Sequence, residues 1–121
     1  MKYLTIIIAA AVLNACTNFS SSEKKDNSSE LANGITSSTF KVWGNCEMCK
    51  ETIEESLKID GVTKVDWNTE TKMIVVNYDS TKVNLDKIQK NIAMVGYDNP
   101  KYKGDDKAYS ALPECCQYDR K

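Results

Sequence analysis

The feature that most constrains this chain is the order in which its apolar spacing changes between residues 39 and 103. "TFKVW" (39–43) alternates, with Phe40 and Val42 on one side and Thr39, Lys41 and Trp43 on the other, which is the two-residue period of a strand. "GNCEMCKETIEESLKIDG" (44–61) then sets Met48, Cys49, Ile53, Ser56 and Leu57 at helical spacing, with acids and lysines opposite. Gly61 suits the left-handed position that closes such a helix. Two more strands follow, "VTKVDWN" and "MIVVNYD", joined by the polar turn "TETK"; the second puts Ile74, Val76 and Tyr78 on one face. "NLDKIQKNIAMVG" is a second amphipathic helix, with Asn84 as N-cap, Leu85, Ile88, Ile92 and Val95 facing inward, and Gly96 at its end. "YDNPKYK" (97–103) is expected as an edge strand, a place where Pro100 is tolerated. The order βαββαβ predicts an α+β fold, a ferredoxin-like sandwich.

"GNCEMC" (44–49) lies where the first strand gives way to the first helix, and it carries Cys46 and Cys49. The chain has 121 residues, five cysteines (Cys16, Cys46, Cys49, Cys115 and Cys116) and no histidine. Two thiolates on one loop select soft ions such as Cu(I) over hard cations, which prefer oxygen. The unsatisfied N–H groups at a helix start favour the thiolate form. Structural zinc takes four protein ligands, and here carboxylates or the tail cysteines would have to complete the set. The spacing alone leaves three alternatives open: a Cys46–Cys49 disulfide, thiol–disulfide exchange by a Cys-x-x-Cys pair at a helix start, and a merely packed cysteine pair, which the loop–helix junction disfavours.

The motif Gly44-Asn45-Cys46-Glu47-Met48-Cys49, followed at regular distances by "DGVTKVDWNTETKMIVVNYDSTKVNLDKIQ" and "VGYD", resembles a heavy-metal-associated domain. That is the fold of copper chaperones, mercury-scavenging periplasmic proteins and the N-terminal modules of metal-pumping ATPases. The resemblance spans about residues 38–100. It implies metal ligation by Cys46 and Cys49, with Cu(I) expected first and Hg(II), Ag(I), Cd(II) and Zn(II) as other thiolate-accepting ions. It also implies hand-over to a metal efflux or transport protein. The family pattern Gly-Met-x-Cys-x-x-Cys is one residue longer than the loop here and supplies a methionine beneath it. Asn45 and Met48 are near-site residues, Met48 being expected to pack or to line the rim rather than to ligate. Topology places Tyr97 beside the cysteines, where the family often has an aromatic or a lysine; its role is to shield the ion or to cap the core. Trp43 is read as a docking surface or as an edge aromatic covered by the tail.

Residues 104–121 extend beyond that pattern. Asp105–Leu112 has helical character, Pro113 stops it, and Cys115-Cys116 follow, able to add thiolates to a soft-metal site, to form a disulfide with Cys46 or Cys49, or to remain a reactive tail. At the other end, "MKYLTIIIAAAVLNAC" has one cation, Lys2, and then an apolar run shorter than the roughly 20 residues a spanning helix needs. Leu13-Asn14-Ala15-Cys16 resembles a bacterial lipobox, in which the cysteine is lipidated and becomes the first mature residue. The expected organisation is a signal peptide over 1–15, a lipid-anchored flexible tether over 16–37, the metal-binding domain over 38–103 and the extension over 104–121. That organisation implies a protein held to a membrane of the bacterial envelope through Cys16, facing the periplasm or the surface.

The net charge of −1, with lysines interleaved among acids, gives no basic patch for nucleic acid. No nucleophile–base pair or phosphate loop is present, and the absence of histidine removes the commonest general base, so the chain reads as a binding protein rather than an enzyme.

Overall fold

The computed structural model describes residues 28–121. Strand β1 (Ser28–Glu30) turns through Ala32–Gly34 into β2 (Ile35–Lys41); helix α1 (Glu47–Glu55), β3 (Val62–Trp67), β4 (Met73–Asp79) and α2 (Leu85–Met94) follow. The strands form one antiparallel sheet in the order β1-β2-β4-β3. Phe40 pairs with Ile74, Trp67 with Ile74 and Val65 with Val76, so these side chains share one face, as opposed residues of an antiparallel pair do. Phe40, Val42, Trp67, Ile74, Val76 and Tyr78 on that face join Cys49, Ile53 and Leu57 of α1 and its C-terminal end and Ile88 and Ile92 of α2 in one buried core. Gly96, at φ of 98°, follows the end of α2 as expected, but α1 already stops at Glu55 with Ser56 as its C-cap, so Gly61, at φ of 92°, does not close that helix and instead turns the chain into β3. The Asn84 carboxamide accepts from the Lys87 N–H at 2.8 Å and caps α2.

The expected edge strand over 97–103 is not formed. Residues 97–104 make a loop, because Asp98 and Asn99 bring buried side chains that take up its N–H groups locally. Asn99 Oδ1 accepts from the Lys101 and Tyr102 N–H groups at 3.2 and 3.0 Å, and its amide donates to the Gln89 carbonyl at 2.8 Å. The loop keeps one backbone bond to the sheet strand's extension, Trp43 N–H to the Asp98 carbonyl at 3.0 Å. The edge position beside β2 is filled instead by β1, so residues 28–37, expected within the tether, belong to the domain. Asn33 and Gly34, at φ of 67° and 75°, make the turn that permits this hairpin. The signal peptide over 1–15, Cys16 and the tether over 16–27 lie outside the described residues. Among the described residues no helix is long and apolar enough to cross a membrane.

The extension folds back onto the domain. Gly104 closes the loop against Gly96, and helix α3 (Asp106–Ser110) starts there with the Asp105 carboxylate accepting from the Ala108 N–H at 2.8 Å. A 3-10 turn over Glu114–Cys116 follows Pro113. The fully buried Asp98 carboxylate then collects the tail: it accepts from the Gly104 N–H at 2.7 Å, from Arg120 at 3.1 Å and from the Lys121 N–H at 3.1 Å. Tyr118 stacks on Tyr97 with ring centroids 5.6 Å apart and meets Tyr109 edge-on at 5.2 Å. Its hydroxyl donates to the Gly96 carbonyl and accepts from the Asp98 N–H, at 2.7 and 2.8 Å.

Two expectations follow from this packing. A methyl group at Gly104 would stand 2.5 Å from the Gly96 carbonyl carbon, so Gly104→Ala is expected to cost about 1–3 kcal/mol in urea unfolding. Burial alone would raise the Asp98 pKa, but the Gly104 N–H, the Arg120 guanidinium and the Lys121 N–H together hold it below the usual carboxylate range. A depressed carboxylate stabilises the fold above the unfolded value of about 3.9 and loses that contribution as pH falls through its own lower value. The near-ultraviolet circular dichroism of the tyrosine stack should therefore persist at pH 5 and decay only in acid below about pH 4.

Candidate metal centre

The metal loop leaves the sheet at Trp43 and enters α1 at Cys46. Gly44 is buried because the Trp67 ring lies beneath it; a side chain there would meet that ring at 3.0 Å and the Cys49 Cβ at 3.4 Å. The short loop therefore rests on Trp67, whose indole N–H donates to the Val42 carbonyl at 3.2 Å. Cys46 is the N-cap of α1, in extended backbone, and Cys49 stands in the first turn, fully buried. The N–H groups of Asn45 and Cys46 both point at the Cys49 sulfur, at 3.4 and 3.5 Å. Lys72, in the β3–β4 turn, donates to the Asn45 carbonyl at 3.1 Å and steadies the loop from the side.

The tail brings a third sulfur to this pair. Cys116 Sγ lies 3.7 Å from Cys46 Sγ, which in turn lies 3.8 Å from Cys49 Sγ, and all three atoms fall within 4.8 Å of one another. For metal–sulfur bonds of about 2.3 Å, sulfurs around a trigonal ion stand about 4 Å apart, and across a linear one about 4.6 Å. The two short spacings fit the trigonal case. Cys116 is buried, whereas Cys115 stays exposed, its carbonyl facing the Cys46 thiol at 3.6 Å and the Asn45 amide at 3.4 Å. The adjacent tail cysteines thus take different places, one inside the cluster and one on its rim.

The electrostatics are graded across the three thiols. The Cys49 backbone N–H pulls Cys46 down to about 7 against the cost of burial, helped by the Cys116 thiol, the Met48 N–H and the Cys49 thiol. Burial pushes Cys116 up, and its Cys49 and Cys46 neighbours add to that, as expected where sulfurs share protons. Tyr97, fully buried, is raised first by burial and then by Cys49 and Cys116. Among the described residues its hydroxyl has no hydrogen-bond partner, leaving an orphan donor beside two sulfurs. Three soft donors, an unspent O–H and the positive end of α1 make a donor set that fits a soft cation, which binds thiolates and displaces their protons.

Met48, half-exposed on the rim, sets its sulfur 3.6 Å from that of Cys115. Trp43 is partly covered by the end of the chain: Lys121 Nζ lies 5.6 Å from its ring and Lys41 Nζ 4.6 Å. Trp67, Lys72, Tyr118 and the Asp98–Arg120 pair carry the site without having been singled out from the sequence. The bulky tryptophan in "VDWN" could have been matched to the missing methionine of the loop; the others reach the site through folding over long separations and leave no local signal.

The family profile of the heavy-metal-associated domain matches residues 39–98. A copper chaperone, CopZ, from Staphylococcus aureus is 40% identical over 55 residues, covering 45% of this chain and 81% of that protein. A solved CopZ metallochaperone superposes with a TM-score of 0.51 at 37% identity, over 52% of this chain and 97% of the other. Oxidized MerP from Ralstonia metallidurans CH34 does so with a TM-score of 0.51 at 34% identity, over 54% of this chain and 93% of the other. Sheet, cysteine loop and sequence agree, and the chain belongs to the heavy-metal-associated domain family.

Proposed function

We propose that this protein captures a soft metal ion, Cu(I) foremost, and hands it on to a metal efflux or transport protein. The observation that carries this reading is the convergence of Cys46, Cys49 and Cys116 within 4.8 Å beside the orphan hydroxyl of Tyr97. Likeness to a protein described as a copper chaperone supports copper as the cargo. The ion is exchanged rather than transformed, so the protein acts as a carrier and not as an enzyme. Cys46 and Cys49 bind first, since the loop presents both. Cys116 then closes the coordination from the tail, with Tyr97 available to donate a hydrogen bond to a bound thiolate. The lipobox-like Leu13–Cys16 supports attachment to a membrane of the bacterial envelope through lipid on Cys16, with the domain held outside the cytoplasm.

The lowered pKa of Cys46 and its short approach to Cys116 also suit disulfide chemistry, which is the competing reading. Metal content after anaerobic purification, compared with a thiol count on the same sample, separates the two. Stoichiometric metal with free thiols supports the carrier; metal-free protein with its thiols oxidised supports exchange.

In a Cu(I) titration against a competing chelator, Cys46→Ser and Cys49→Ser are each expected to abolish tight binding with the fold retained. Cys116→Ser should weaken it by at least about tenfold, roughly 1.4 kcal/mol, and lower the sulfur count in X-ray absorption from three to two. Equal affinity and an unchanged count would remove the tail from the site. For the anchor, Cys16→Ser is expected to move the protein from the membrane to the soluble fraction or to leave it unprocessed; processed, membrane-bound variant would require another attachment.

A further inference from the structure

The sulfur contacts do not stop at the three-thiol cluster. They form a line from surface to interior: Met48 Sδ to Cys115 Sγ at 3.6 Å, Cys115 to Cys116 at 3.9 Å, Cys116 to Cys46 at 3.7 Å, and Cys46 to Cys49 at 3.8 Å. Met48, at 50%, and Cys115 are exposed, Cys46 is partly exposed, and Cys116 at 1% and Cys49 at 0% are buried. Met48 stands on the first turn of α1 with its side chain turned away from the core, so packing does not account for its place. Cys115 is set opposite it by the same 3-10 turn that buries Cys116, and the Asn45 amide holds its carbonyl at 3.4 Å.

We propose that Met48 and Cys115 form an outer soft-metal subsite, linked to the inner centre through a bridging Cys116 sulfur, at which a Cu(I)-class ion is taken up and released. This rests on the reading of the inner centre as a soft-metal site. Two of the inner ligands, Cys49 and Cys116, are buried and the third, Cys46, is partly exposed, so the ion leaves by exchanging ligands one at a time. With neighbouring sulfurs under 4 Å apart, an ion stepping along the line keeps two sulfur ligands at every stage. Thioether and thiol are both soft donors, which excludes hard cations from the outer position. The thioether is neutral and polarizable and binds without losing a proton, whereas Cys115 releases its proton to solvent as the ion arrives. The outer position is accordingly the weaker of the two, as a place of exchange has to be.

The test is an anaerobic Cu(I) titration of the reduced full chain against a competing chelator, for the wild type and for Met48→Leu/Cys115→Ser. Both side chains are exposed, so the fold is expected to survive the change. The wild type should take two equivalents, the second held at least about tenfold more weakly than the first. The double variant should take one, at the wild type's first affinity within about twofold. A wild type that takes a single equivalent, or a variant that still takes two, overturns the outer subsite and leaves the inner centre standing. A wild type that takes none overturns the carrier reading itself.

Discussion

The buried carboxylate of Asp98 is the point on which the metal centre depends. An unpaired charge in a protein interior costs several kcal/mol, so its surroundings must answer it in full. They do so from separate parts of the chain: Gly104 from the loop after α2, and Arg120 and the Lys121 N–H from the last residues. The backbone of the same residue accepts from Trp43 just before the cysteine loop and donates to the Tyr118 hydroxyl. One residue thus ties the exit of the sheet to the end of the tail. Cys116 lies between these ties and is buried against the cysteine loop as a result.

The same arrangement explains why the chain exceeds its family pattern. The match ends at Asp98, the residue that receives the tail. Everything up to that point builds a two-cysteine loop on a ferredoxin-like sheet; everything after it serves to bring one more sulfur, and the tyrosines that pack behind it, to that loop. Arg120 also reaches Asp106 at 2.7 Å and lies 4.6 Å from the Tyr109 ring, so the tail is fastened by charge and by aromatic packing together.

The periodic elements were legible in the sequence because their spacing records which side faces the core. Ile74, Val76 and Tyr78, or Ile88 and Ile92, read directly as buried faces, and the Cys-x-x-Cys pair announced itself by its place at a strand–helix junction. The segment 97–103 misled because Tyr97 and Tyr102 look like strand material, while Asn99-Pro100 is a turn signal that should have weighed more. Its backbone is satisfied by its own side chains, which no apolar period records. The hairpin of residues 28–37 was missed for the opposite reason: serines and an Asn-Gly pair look like linker, yet hydroxyls of Ser28, Ser38 and Tyr78 join it to the sheet at 2.7 and 3.2 Å. Which tail cysteine faces inward was beyond reach, since adjacent residues differ only in how the 3-10 turn aims them.

That hairpin has a consequence for how far the domain can stand from an attachment. β1 runs antiparallel to β2, and Ser28 pairs with Ser38 at the middle of β2, with β1 leading away from the end at which the cysteine loop springs. The described chain therefore begins level with the middle of the sheet. The eleven residues between Cys16 and Ser28 can span at most about 40 Å. The proposed attachment at Cys16 would thus confine the domain to within that length of the membrane without fixing which way its cysteines face.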